Sequence, residues 1–200
     1  KKQSGGLMKG RMAKMALEQK EMREVYTELL LENAKKDSRI VAVDADLMKA
    51  MKAIPFREEL PERSIDAGVA EANMIGVAAG LSAFGKIPFT HSFTPFATRR
   101  CYDQITISVA YAGLNVKMVG SDPGVTAELN GGTHMSFEDV GLMRNIPGMV
   151  IFEPTDNSQL IKAFPEIVSY EGPVYIRLFR KKPEKIFDER VRKVMKSEKI

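Results

Sequence analysis

The sequence predicts an α/β fold: a mostly parallel sheet of five or six strands with helices on both faces. Three observations lead there. Short β-branched runs alternate with longer segments of helical spacing. Most of those runs are continuously apolar, as strands covered on both sides must be. With one exception, the connections between them are short.

In chain order, helical spacing over 23–36 leads into an apolar strand at 40–44, reading IVAVD. A brief strand is expected at 64–66, then a helix over 70–84 that Gly85 closes, and a strand at 87–92. A helix over 98–112, closed by Gly113, precedes a strand at 116–120. The remaining elements are a helix over 137–144, a strand at 149–153, a helix over 156–170 and a strand at 174–178. The exceptional connection is 121–135, SDPGVTAELNGGTHM, which is long and glycine-rich. It follows the carboxyl end of a strand, where open parallel sheets bind ligands.

The chain has 200 residues, 44% of them hydrophobic, enough for one large domain or one domain with arms. A single cysteine, Cys101, excludes an internal disulfide framework; it fits a reducing compartment, or is simply a helix residue. There is no run of eighteen apolar residues and no secretory pattern, so a soluble cytoplasmic protein is expected. Residues 1–24 hold seven basic and three acidic groups and residues 181–200 hold eight and four, so each end carries +4 and the middle −4. A nucleic-acid surface places its basic stripe across the folded face rather than in two arms. Such arms are more often solvated or engaged with another subunit. The glycines form neither GxGxxG nor GxxxxGK[ST], there is no GxSxG, and two histidines and one cysteine far apart do not make a zinc site.

Three places carry candidate chemistry. Glu71, in Gly68-Val-Ala-Glu-Ala-Asn-Met74, is a carboxylate in the first turn of a helix that is otherwise small and apolar. It suits the helix dipole; if buried, it is also a carboxyl poised to exchange a proton. Phe93 and Phe96 follow a strand directly and serve either as core or as a platform for a flat heterocycle. His134 ends the long loop, where it is either structural or an acid, base or hydrogen-bond donor.

Taken together, Asp44-Ala-Asp-Leu47, Gly68-Val-Ala-Glu-Ala-Asn-Met74, Phe93-Thr-Pro-Phe96, Gly131-Gly-Thr-His134 and Ile146-Pro-Gly-Met-Val-Ile-Phe-Glu-Pro154 occur in the order and spacing of transketolase pyrimidine-binding domains. The resemblance covers about residues 22–182, leaving 1–21 as a basic arm and 183–200 as a linker towards a C-terminal domain not present here. It implies the pyrimidine module of the thiamine-diphosphate-binding fold. By resemblance, Glu71 bonds the pyrimidine nitrogen of the cofactor, Phe96 stacks on that ring, Phe93 lines the pocket and Asp46 lies near the thiazolium, with Asp44 a competitor for that role. His134 resembles the histidine that contacts the sugar near its reacting carbons. Arg180 and Arg23 resemble the arginines that hold the substrate phosphate.

Some positions depart from the pattern. Many transketolases have a His-Asp pair at Ser121-Asp122, an aspartate near Asn130, a serine near Ala50 and an aromatic near Arg99. Arg100 with Tyr102-Asp-Gln104 resembles instead the deoxyxylulose phosphate synthases, where an arginine there binds phosphate. The Gly-Asp-Gly stretch that holds Mg2+ and the cofactor diphosphate in this family is absent, which implies a separate diphosphate-binding chain. The expectation is therefore the C-terminal subunit of a split transketolase, an enzyme of pentose phosphate chemistry. It transfers a two-carbon ketol unit between sugar phosphates together with an N-terminal subunit that holds Mg2+, as a homodimer or hetero-oligomer. A deoxyxylulose phosphate synthase, a 2-oxo acid dehydrogenase β subunit and a non-catalytic assembly module of the same fold are the alternatives.

Overall fold

The computed structural model describes residues 16–187. All six strands are present: β1 Ile40–Asp44, β2 Ser64–Asp66, β3 Ile87–Phe93, β4 Lys117–Ser121, β5 Val150–Phe152 and β6 Val174–Leu178. They form one wholly parallel sheet in the order β2-β1-β3-β4-β6-β5. The chain steps outward from β1 to β2, then returns to the other side of β1 for β3. That reversal opens a crevice at the carboxyl ends of β1 and β3, the place where such sheets take ligands. The inner strands β1 and β4 are buried along their whole length, whereas the edge strands β2 and β5 are only partly covered.

Side chains alternate across the sheet into two cores. Ala42, Phe89, Val119 and Ile176 face one side, where α1 (Met22–Lys36), α2 (Ile54–Glu59) and α7 (Asn157–Ser169) cover them with Tyr26, Leu30, Phe56, Leu160 and Phe164. Val41, Val43, Met118 and Tyr175 face the other, beneath α3 (Glu71–Ala83) and α6 (Asp139–Arg144), with Met74, Ile75, Ala78, Ile105 and Met143. In α1, Met22, Tyr26, Leu30 and Ala34 recur every fourth residue and are buried, giving the apolar stripe that docks the helix. The register is fixed because a one-residue slip in any inner strand would exchange the two cores.

Several boundaries differ from the sequence reading, for local reasons. The helix expected over 98–112 is broken into a 3-10 turn at Arg99–Cys101, one α-turn, α5, at Tyr102–Gln104, and a π-helical segment at Ile105–Tyr111. Thr98 Oγ1 donates to Thr94 O at 2.7 Å, a side-chain bond that competes with helix continuation. Ahead of it, Thr94–Ala97 forms its own short helix, α4, with Pro in the first turn. The helix expected from residue 137 begins at Asp139, and just ahead of it the Phe137 N–H donates to the Glu138 carboxylate at 2.9 Å. Helix α2, one and a half turns started by Pro55, went unread.

Of the basic arm and the linker segment, residues 1–15 and 188–200 lie outside the described residues. The described parts run side by side: Glu18 N–H donates to Pro183 O at 2.9 Å and Lys185 N–H to Ala16 O at 2.8 Å. Asp156, the N-cap of α7, secures the same stretch. One of its oxygens accepts from Gln159 N–H, and the other from the N–H groups of Ile186 and Phe187.

Candidate active site

The carboxyl ends of β3 and β4 meet under α4, and that junction depends on Gly120. A Cβ there would stand 3.2 Å from the Thr94 Cα and 2.8 Å from the Tyr175 hydroxyl, so only glycine lets α4 rest on β4. Thr94 Oγ1 then donates to Ser121 O at 2.8 Å, and Cys101 Sγ to Phe96 O at 3.2 Å. Phe96 is thereby fixed at the mouth of the crevice.

The structure brings Phe93, Phe96 and His134 together as one aromatic cluster. His134 meets Phe96 at 5.0 Å and Phe93 at 5.4 Å between centroids, edge to face in both cases, and the two phenylalanines are 6.4 Å apart. The Thr133 hydroxyl lies 2.9 Å from His134 Nδ1 and orients the imidazole. The long loop reaches this point through a 3-10 turn at Gly124–Ala127 whose Gly124 and Ala127 are buried. Its first half, through Ala127, is packed structure, whereas residues 128–130, 132 and 133 are exposed.

Glu71 begins α3 beside the cluster and is 3% exposed. Its Oε1 accepts the Ser92 hydroxyl at 3.1 Å, and its Oε2 accepts from Arg100 Nη1 at 2.9 Å. The Arg100 guanidinium also lies over the Phe96 ring, 3.9 Å from its centroid. Cys101 packs against the same acid; burial first, then the negative charge of Glu71, pushes its thiol up to about 12.

A second group forms at the tip of β4. Asp122 is fully buried in a left-handed backbone conformation, φ +56°, that residues other than glycine seldom adopt outside functional turns. Arg180 Nε lies 2.9 Å from its Oδ2, but the pairing is electrostatic: neither carboxylate oxygen receives a directed hydrogen bond. Burial pushes the Asp122 carboxyl up, against the opposing charges of Arg180, Arg23, Lys181 and His134. Arg180 also reaches over Phe93, 5.7 Å from its centroid. Arg23 is tied to Glu21 at 2.7 Å and donates to Ala50 O, holding the start of α1 against the loop after β1.

Asp46 sits in that loop, exposed, with φ +58°; its N–H is held by Asp66 Oδ1 at 3.0 Å. Among the described residues, no hydrogen bond or ring contact joins it to the aromatic cluster. Asp44 is committed elsewhere: its Oδ2 is 3.1 Å from His91 Nδ1, whose Nε2 is 2.7 Å from the Tyr26 hydroxyl, and all three residues are fully buried. Sequence reasoning named Asp44 and Asp122 only through the family pattern, in other settings, and missed His91, Tyr26 and Ser92. His91 within an otherwise buried strand and Asp122 directly after β4 were the available signals. Among the described residues, no three His, Cys, Asp or Glu side chains converge as a metal site.

The residues present fit an aminopyrimidine. A buried carboxylate beside an aromatic face, at the carboxyl edge of a parallel sheet, offers one hydrogen-bonding end and one stacking surface.

Comparison with known proteins gives the family. The family model described as transketolase, pyrimidine binding domain matches residues 18–184. The 6-deoxy-6-sulfo-D-fructose transketolase subunit of Clostridium sp. strain MSTE9 is 66% identical over 173 residues, 86% of this chain and 54% of that protein. A putative transketolase C-terminal section from Methanocaldococcus jannaschii is 44% identical over 177 residues, 88% of this chain and 56% of its own length. Among solved structures, a split-gene transketolase crystallised as an inactive β4 tetramer superposes with a TM-score of 0.74 at 40% identity, covering 84% of this chain and 54% of that one. The chain thus spans about half the length of the curated relatives it matches. The chain belongs to the transketolase family, whose pyrimidine-binding domain it carries.

Proposed function

We propose that this chain is the pyrimidine-binding subunit of a two-polypeptide transketolase. It works in the cytoplasm, with thiamine diphosphate bound between it and an N-terminal subunit that holds Mg2+ and the diphosphate. Residues 22–182 form the catalytic half-site, with the two basic ends serving as arm and linker. The observation that carries this reading is Glu71, a nearly fully buried carboxylate joined through Arg100 to Phe96 of the Phe93–Phe96–His134 cluster.

Thiamine diphosphate, when bound, supplies the nucleophilic carbon to which a ketol unit is transferred. The residues of this chain do the rest. Glu71 holds a proton against the pyrimidine nitrogen and, being out of water, exchanges it with that ring rather than with solvent. Phe96 fixes the ring by stacking, while Phe93 and His134 keep water off the reacting end. By the family pattern, His134 would hydrogen-bond the sugar near its reacting carbons and Asp46 would face the thiazolium side.

Arg180 and Arg23 hold the anionic end of the substrate, with Arg100 a further candidate contact. The donor we favour is a ketose ending in a sulfonate, such as 6-deoxy-6-sulfo-D-fructose, the substrate in the name of the 66% identical relative. Ser121 supports this choice. A phosphate monoester carries about −1.5 to −2 at neutral pH, whereas a sulfonate carries a single charge. A site that has serine where many transketolases have histidine is matched to the smaller charge.

The test is co-expression with a diphosphate-binding subunit and analysis of products from 6-deoxy-6-sulfo-D-fructose, fructose 6-phosphate, xylulose 5-phosphate and pyruvate. Two-carbon transfer from the sulfonated ketose supports the proposal. Transfer only from the phosphates retains the ketol reaction and overturns the donor. Consumption of pyruvate points to deoxyxylulose phosphate synthase chemistry or a 2-oxo acid dehydrogenase, and a complex that binds no cofactor points to an assembly module.

A further inference from the structure

Arg100 stands where the aminopyrimidine is expected. Its guanidinium makes two contacts: a 2.9 Å ion-paired hydrogen bond to Glu71 Oε2 and a stack 3.9 Å from the Phe96 centroid. A flat, delocalised group that stacks and hydrogen-bonds in its own plane matches the shape of an aminopyrimidine, with the guanidinium carrying the proton that Glu71 supplies when the ring is bound. The other oxygen of Glu71 is already taken by Ser92 from within the protein. Glu71 is 3% exposed while the Arg100 side chain is 46% exposed, so the guanidinium lies between the acid and solvent.

We infer that Arg100 is an internal placeholder for the cofactor: it occupies the Glu71–Phe96 subsite in the unliganded chain and must swing outward for thiamine diphosphate to bind. This rests on the proposed function, which supplies the cofactor, and adds a residue that sets how tightly it is held. Two physical consequences make the arrangement useful. A buried carboxylate with no partner is costly, so the ion pair keeps the half-site intact before its partner subunit and cofactor arrive. The same pair competes with the cofactor, because only the fraction of molecules with Arg100 displaced can bind; if about four-fifths are closed, the apparent Kd is raised about fivefold. The long, half-exposed arginine stem needs only side-chain rotation to clear the subsite.

The experiment is calorimetric titration of thiamine diphosphate, with Mg2+ present, into the complex of this chain with a diphosphate-binding subunit. Wild type is compared with Arg100→Met, which keeps the stem and loses both contacts, and with Arg100→Lys, which keeps the charge without the plane. Arg39→Gln, at the opposite end of the sheet, controls for the loss of one positive charge. The expected result is a Kd several-fold lower for Arg100→Met, an intermediate value for Arg100→Lys and no change for Arg39→Gln. Should Arg100→Met prove unstable, a lower Kd in Arg100→Lys alone still supports the inference. A Kd unchanged or raised in both Arg100 variants, with the wild type binding normally, overturns it: the arginine is then a permanent partner of Glu71. If the wild-type complex takes up no cofactor at all, the proposed function falls, and the placeholder with it.

Discussion

The Ser92 hydroxyl donates to Glu71 Oε1 at 3.1 Å, tying the first residue of α3 to the carboxyl end of β3. Neither residue reaches solvent to any extent, and with Arg100 on the other carboxylate oxygen the bond directs the acid. Ser92→Ala is expected to cost about 1.5–3 kcal/mol in urea denaturation, the range for a hydrogen bond to a charged group. It should also weaken cofactor binding in the assembled complex, because Glu71 can then rotate. Unchanged stability together with unchanged affinity would show that Glu71 is held by Arg100 and packing without Ser92.

Gly120→Ala should disturb the same site from below. The added methyl meets the Thr94 backbone at 3.2 Å and the Tyr175 hydroxyl at 2.8 Å; the tyrosine can shift, but the backbone cannot move without carrying Phe96 with it. The expected loss is about 1–3 kcal/mol, as for other insertions into packed cores, with a change in the near-ultraviolet circular dichroism of the aromatic cluster.

Asp156→Ala removes one helix cap and two bonds to the 186–187 backbone at once. A loss of about 2–3 kcal/mol is expected, above the usual value for a cap alone, and protease cleavage near residue 187 should quicken. Equal cleavage rates in variant and wild type would mean that this carboxylate does not secure the segment.

Lys117 gives a pH signature. It is fully buried at the start of β4, where Nζ donates to Tyr170 O and Gly172 O at the end of α7, and burial pulls its ammonium down from 10.5 to about 8. The folded state therefore binds fewer protons than the unfolded chain between pH 8 and 10.5, and this group's contribution to stability rises with pH across that window. The full effect is on the order of 3 kcal/mol. Denaturation midpoints at pH 7.5 and 9.5 should diverge more in wild type than in Lys117→Met; parallel behaviour of the two would contradict the assignment.

Cys101 is expected to be inert in the fold. With its thiol pushed up to about 12 and its side chain buried, almost no thiolate exists at pH 8, so a disulfide reagent should label the chain only in denaturant.

The strands were legible because β1, β3, β4 and β6 are largely covered on both faces, which leaves short runs rich in apolar and β-branched residues. The two edge strands were legible in place but shorter or less covered. What sequence could not give was the change of helix type along 99–111, from 3-10 through α to π, which leaves no mark in residue spacing. Helix α2 was too short for periodicity to register. At the site, Glu71, Phe93, Phe96 and His134 stood out as chemical types at the right sheet edge, and the fold gathers them. The partners that aim them escaped notice, because serine and arginine are common on any surface: the bond from Ser92 and the pairing of Arg100 with Glu71 exist only once distant segments meet.

The most direct test of the central claim is the rate at which the C2 proton of bound thiamine diphosphate exchanges with deuterium in the assembled complex, wild type against Glu71→Gln. The account predicts fast exchange in wild type and a loss of at least two orders of magnitude in the variant, in keeping with removal of a general acid–base group. Equal exchange rates in two complexes that both bind the cofactor would contradict it, and would remove Glu71 from the chemistry of this site.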